Sequence, residues 1–262
     1  MHSRWSSHAL ALVSTLLSAC TNSELSVGAG HATNGAAATA AATESIPDKP
    51  QFNPFTDVRA AVGRREVIEN PTLADVMKTG ALPDMAVGRA DAPVTIIKYA
   101  SLTCPYCRQF QLNAFPQLKR EYIDTGKVRF IIREFPIGFQ SGAATIALRC
   151  APPEAYFRLY ELFLARQAAW VSQEVRHDPI FKIATEVGMT RAQFDACYQN
   201  QGMIEALKWV KERGRTLGVI GTPNFFVNGK LVKSVLGMKE IREMVDPIVE
   251  GRVASGHAAA MR

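Results

Sequence analysis

Apolar and polar positions along the 262 residues follow two periods. Val94 to Tyr99 is a near-continuous apolar, β-branched run and predicts a buried strand. It breaks at Ser101–Thr103. Phe110, Ala114, Leu118 and Tyr122 then recur every four residues, one face of a helix that Pro116 should kink. Lys127 to Arg133 predicts a second buried strand, so the segment reads as a right-handed β-α-β unit. Phe135-Pro136-Ile137 closes it. Residues 138–218 carry helical periodicity almost throughout. Tyr156, Phe157, Tyr160, Phe163 and Leu164 are apolar around much of one helix. Thr190 and Gln193 make a capping box. Met203, Leu207, Val210, Gly214 and Leu217 follow a 4-3-4-3 pattern. Phe225-Phe226-Val227 and Leu231-Val232 flank Asn228-Gly229, a strong hairpin signal. Ile241, Met244, Val245 and Ile248 predict a closing amphipathic helix. The expected fold class is therefore α/β, with an all-helical module, residues 138–218, inserted between strands.

The ends read differently. Residues 1–19 resemble an export signal: Arg4, then apolar Ala9 to Leu17, too short to span a bilayer. Leu17-Ser18-Ala19-Cys20 resembles a bacterial lipoprotein box, which implies cleavage before Cys20 and its lipidation. The alternatives are an ordinary signal cut after Ala19 or later, or an uncleaved anchor. Residues 20–55 are rich in Ala, Thr, Ser and Gly and read as a flexible tether ending in Pro47, Pro50 and Pro54. Residues 56–84 suggest a short leader of two helices split at Asn70-Pro71. Met85 to Gly88 suggests a short edge strand. Net charge is +6, with the basic residues dispersed, which argues against nucleic acid as a partner.

The chemistry sits where the first strand meets its helix. Cys104-Pro105-Tyr106-Cys107 places two sulfurs three positions apart at a helix N-terminus. Unpaired N–H groups and the helix dipole there favour a thiolate. Cys104 reads as the exposed attacking sulfur and Cys107 as the buried resolving one. Pro105 suits the first turn, where no N–H is needed. The alternative is half of a zinc site completed by Cys150 and Cys197. Those two are separated by 46 intervening residues, against the paired close spacing of structural zinc ligands. His177 has no partner at ligand spacing and reads as a surface residue.

With Gly221-Thr222-Pro223 before the hairpin, residues 85–251 resemble the DsbA-like thiol:disulfide oxidoreductases. These are thioredoxin-fold proteins with an inserted helical domain. Glutaredoxins share the Cys-Pro-Tyr-Cys motif but are small. The 119 positions from Cys104 to Pro223 argue against them. The resemblance implies a discontinuous thioredoxin-like domain, residues 85–137 and 219–251. It implies a cis Thr222–Pro223 bond beside the cysteines, offering backbone groups to an extended substrate. The alternative is a trans proline opening a strand. It also implies reduced or unfolded exported proteins as substrates, no cofactor, and reoxidation by a membrane quinone-linked, DsbB-like partner. The location would be periplasmic, at a membrane surface through lipidated Cys20.

One position departs from the family. Six residues before the first cysteine, the superfamily often has a buried acid, whereas this chain has Lys98. Lys98 either snorkels to solvent or lies near Cys107, favours the thiolate and makes the disulfide more oxidising. Cys150 and Cys197 lie on apolar helix faces. In an exported chain they are expected to form a structural disulfide, worth roughly 4 kcal/mol by chain entropy; the alternative is two inert core thiols. Disulfide oxidase is the leading function. Reductase or isomerase is the second, and a redox-inactive chaperone or copper-binding lipoprotein the third.

Overall fold

A computed structural model describes residues 66–260, with side chains described as far as Gly251. The export signal, Cys20, the tether and most of the first leader helix lie outside the described residues. The second leader helix is α1, Leu73–Met77, opened by a Thr72–Asp75 capping box. Residues 66–71, where the first was to end, carry no helix, and Asn70 turns the chain at φ 52°.

Among the described residues five strands make one sheet in the order β1-β3-β2-β4-β5. They are β1 Met85–Val87, β2 Val94–Ala100, β3 Val128–Glu134, β4 Asn224–Val227 and β5 Lys230–Val232. β2 and β3 run parallel, while β1 and the β4–β5 hairpin pair antiparallel. The hairpin turns through Asn228 at φ 45° and Gly229 at φ 90°, the left-handed pair that Asn-Gly supplies at low strain.

The helices are α2 Pro105–Asn113, α3 Phe115–Leu118, α4 Phe139–Cys150, α5 Tyr156–Ala165, α6 Gln167–Trp170, α7 His177–Ala184, α8 Arg191–Cys197, α9 Gln201–Thr216 and α10 Met238–Ala260. The sequence predicts one helix after the cysteines, kinked at Pro116. It is instead cut at Ala114, restarts with Pro116 in the first turn of α3, and widens into a π turn over Lys119–Ile123. Proline in a first turn needs no N–H, so the break falls just ahead of it.

Strand alternation divides β2 between two cores. Ile97 and Tyr99 join Ile131, Phe135 and Phe226 under Val76 of α1 and Leu217. Ile96 and Ala100 face the other way, with Phe130, Ile132 and Phe225. That second core continues without a break into the helices, through Phe110, Leu159, Phe163, Trp170, Ile180 and Phe194. α9 links the two regions. Its Ile204 and Leu207 pack with Ile146 and Cys197, and its Gly214 lies flush against Tyr99 and Phe135.

Candidate active site

Cys104 is the N-cap of α2. Its backbone is extended (φ −75°, ψ 121°), and its sulfur accepts the Cys107 N–H at 3.4 Å. Pro105 follows in the first turn. Cys107 is fully buried, Cys104 half-buried, and Tyr106 between them is 58% exposed. β4 pairs Asn224 with Tyr99 of β2, so the residues just before β4 arrive beside the end of β2 and the cysteines. There the Thr222–Pro223 peptide is cis, and the Cys104 thiol donates to the Thr222 carbonyl at 3.1 Å. Seven residues singled out in the sequence thus converge: Lys98, Cys104, Pro105, Tyr106, Cys107, Thr222 and Pro223.

Lys98 does not snorkel. It is fully buried on the face of β2 that looks at α2, and its ammonium donates to the Cys107 carbonyl at 3.3 Å. It also lies 4.4 Å over the Phe110 ring and 5.5 Å over the Tyr160 ring, where cation–π attraction offsets part of its desolvation.

The two sulfurs are driven apart electrostatically. Cys104 is held down at about 5. The Cys107 thiol donating to its sulfur is the main cause, with the Thr222 hydroxyl and the Cys107 and Tyr106 N–H groups adding to it and burial opposing. Burial pushes Cys107 well above the ordinary thiol range, its bond to Cys104 adds to this, and Lys98 pulls the other way. The Thr222 hydroxyl is buried and has no hydrogen-bond partner among the described residues. The arrangement is a nucleophilic thiolate over a protonated resolving thiol.

Side chains without a sequence signature hold this loop. Gln167, at the start of α6, donates to the Leu102 and Cys104 carbonyls at 2.8 and 3.0 Å. Ser101 bonds Ser141 at 2.8 Å and accepts the Ile137 N–H at 3.2 Å. Neither a lone glutamine nor a serine in a strand-to-helix turn stands out in one sequence, so neither was foreseen. Beside the sulfurs, Tyr106, Ile220, Gly221, Thr222, Pro223 and Val235 line an open groove. Ile220 is 79% exposed, an apolar edge suited to an extended peptide.

The other two described cysteines lie away from this pair. Cys150 and Cys197 are bonded to each other as a disulfide across α4 and α8. Among the described residues no group of three or more His, Cys, Asp or Glu gathers to hold a metal. His177 is exposed and stacks on Tyr198 at 4.4 Å.

A reactive, half-buried thiolate and a resolving thiol at the end of a thioredoxin-fold strand define a thiol:disulfide oxidoreductase. A family model described as thioredoxin matches residues 81–247, and the chain belongs to that family as a thiol:disulfide oxidoreductase. It is similar to a Rickettsia conorii protein named "Putative protein-disulfide oxidoreductase RC0029", 29% identical over 194 residues, covering 71% of this chain and 68% of the relative. Among solved structures it resembles Wolbachia pipientis alpha-DsbA1, with TM-score 0.63 and 24% identity over 69% of this chain and 98% of that one. It also resembles oxidised BdbD of Bacillus subtilis, with TM-score 0.60 and 19% identity over 71% of this chain and all of the other. Both likenesses are of fold.

Proposed function

We propose that the protein is an exported disulfide donor. A thiolate on a reduced client attacks the Cys104–Cys107 disulfide at Cys104, and a mixed disulfide forms there. A second client thiolate then displaces Cys104, so the client leaves oxidised and the pair stays behind reduced. The observation that carries this reading is the stabilised Cys104 thiolate, held at about 5 by hydrogen bonds aimed at its sulfur. Whatever stabilises that thiolate stabilises the reduced pair, and so makes its disulfide a stronger oxidant. The groove beside cis Pro223 suits an unfolded client, whose backbone can lie along Thr222 as an added strand.

Export and anchoring rest on the apolar leader and the Leu17–Cys20 box, and the mass of the mature N-terminus tests the lipid on Cys20. The Cys150–Cys197 bond fits an oxidising compartment. Among the described residues no helix is long and apolar enough to cross a membrane. Reoxidation falls to a membrane quinone-linked partner of the DsbB kind, near which a lipid tether would hold the enzyme.

The reduction potential of Cys104–Cys107 tests the direction of transfer. A disulfide donor is expected near the potential of DsbA, about −120 mV. A value near that of thioredoxin, about −270 mV, would overturn the donor reading in favour of a reductase or isomerase.

A further inference from the structure

Among the described residues two other buried charges are ion-paired, and buried Lys211 donates to the Pro136 carbonyl at 2.7 Å. Arg133 pairs with Asp84, and Glu134 with Arg149. Lys98 has no carboxylate partner among the described residues. Its hydrogen bond is to a neutral carbonyl, and its other neighbours are rings. The groups facing it come from four elements. α2 presents Cys107 and Phe110, with Cys104 at its cap. α5 presents Tyr160, whose buried hydroxyl has no hydrogen-bond partner among the described residues. β4 places Phe225 alongside, and β3 places Ile132. The nearest carboxylate on β3, Glu134, is taken by Arg149 and by the Tyr156 hydroxyl at 2.9 Å. The charges that act on Lys98 are therefore those of the two active-site sulfurs. In the reduced pair Cys104 carries that charge as a thiolate while Cys107 is protonated, and the charge vanishes when the disulfide forms.

We propose that Lys98 is the proton store of the redox pair: it takes up a proton when the Cys104–Cys107 bond is reduced and gives it back when that bond re-forms. This rests on the disulfide-exchange reading above. The step balances. A client dithiol loses two electrons and two protons as its own S–S bond forms. The electrons break the Cys104–Cys107 bond. One proton goes to the Cys107 sulfur. Cys104 stays a thiolate, so the second goes to the Lys98 amine, and the new ammonium and thiolate neutralise each other. In the oxidised protein a buried ammonium would have no counter-charge, which disfavours it. Burial lowers Lys98 to about 8 even with the sulfurs pulling it upward. Removing their charge lowers it further, so over an interval below about pH 8 the two redox states hold different numbers of protons. Lys98 touches no client and acts through the sulfurs, as a positioning residue.

The test is the half-reaction constant for reducing the pair, obtained in glutathione buffers against pH on the purified protein after the two-proton dependence of the glutathione couple itself is taken out. With Cys107 as the sole proton acceptor, reduction takes one proton per two electrons between the Cys104 and Cys107 titrations. The constant then falls tenfold per pH unit, or 29.6 mV. The wild type should fall more steeply than tenfold over an interval below pH 8, approaching a hundredfold where Lys98 exchanges a full proton. Lys98→Met and Lys98→Arg should both fall tenfold throughout, with the arginine variant, which keeps the charge, the more oxidising of the two. A wild-type slope of tenfold, or the same excess slope in Lys98→Met, would overturn the proposal. Protons taken up per disulfide reduced at pH 7.5 give a readout free of any variant: more than one supports Lys98, and one overturns it. The potential at neutral pH judges the donor reading, whereas the slope judges Lys98, so the two can fail separately.

Discussion

Cys104 shows how few groups it takes to make a sulfur reactive. Its thiolate receives the Cys107 N–H and is lowered further by the Cys107 thiol, the Tyr106 N–H and the nearby Thr222 side chain, while burial resists. Its titration in the reduced, folded protein is depressed from 9.0 to about 5. The stabilisation this brings is complete above the unfolded thiol's range and is lost as pH falls through about 5. Thiolate absorbance and the rate of alkylation should therefore both titrate near pH 5. Replacing Thr222 by Val removes a hydroxyl that lowers the Cys104 thiol, an effect below the about 1.5–3 kcal/mol of a full hydrogen bond to a charged group. The midpoint should rise by about one unit; an unmoved midpoint would mean the hydroxyl does not serve the sulfur. At this scale the sequence was informative where chemistry is written in spacing, as in Cys104-Pro105-Tyr106-Cys107. It was silent where a role depends on what lies across space. Lys98 in an apolar strand could equally have reached solvent, and Gln167 had no mark at all. The contacts that decide both come from α2 and α5 for Lys98 and from the turn before α2 for Gln167.

At the level of elements, periodicity located β2, β3, the hairpin and most helices because each buries a regular face. It could not locate the π turn over Lys119–Ile123, since a one-residue change in helical hydrogen bonding leaves the apolar pattern almost intact. Nor could it say which element α9 would meet. Gly214 records that meeting. A Cβ there would stand 2.6 Å from the Tyr99 ring and 3.2 Å from that of Phe135, and Tyr99 is itself pinned by Arg133. The helix sits this close to the sheet because position 214 has no side chain. Gly214→Ala should cost about 1–3 kcal/mol by overpacking, despite the better helix propensity of alanine. A lower urea midpoint at unchanged slope would register it, and unchanged stability would mean that α9 shifts freely.

For the whole molecule, the order strand, helix, strand, helices, hairpin, helix was legible. The continuity of the core was not, because Phe163, Trp170 and Phe225 reveal their common cluster only once the chain is folded. The Cys150–Cys197 bond closes a span of 47 positions within the helical region. Replacing both cysteines by alanine should remove about 4 kcal/mol by chain entropy, within a usual range of about 2–5. The Cys104–Cys107 potential should stay where it was, because neither residue touches the redox pair. Thermal unfolding and glutathione titration of one variant check both statements, and a shifted potential would show that the helical region tunes the sulfurs. The same atom that reacts also ends a helix: the Cys104 sulfur caps α2 through the Cys107 N–H. A sulfur in a disulfide is a poorer acceptor than a thiolate, so this cap is weaker in the oxidised enzyme than in the reduced one. Spent and loaded enzyme differ in how firmly the first turn of α2 is fastened. A partner docking there could tell one from the other by the backbone before it touches a sulfur.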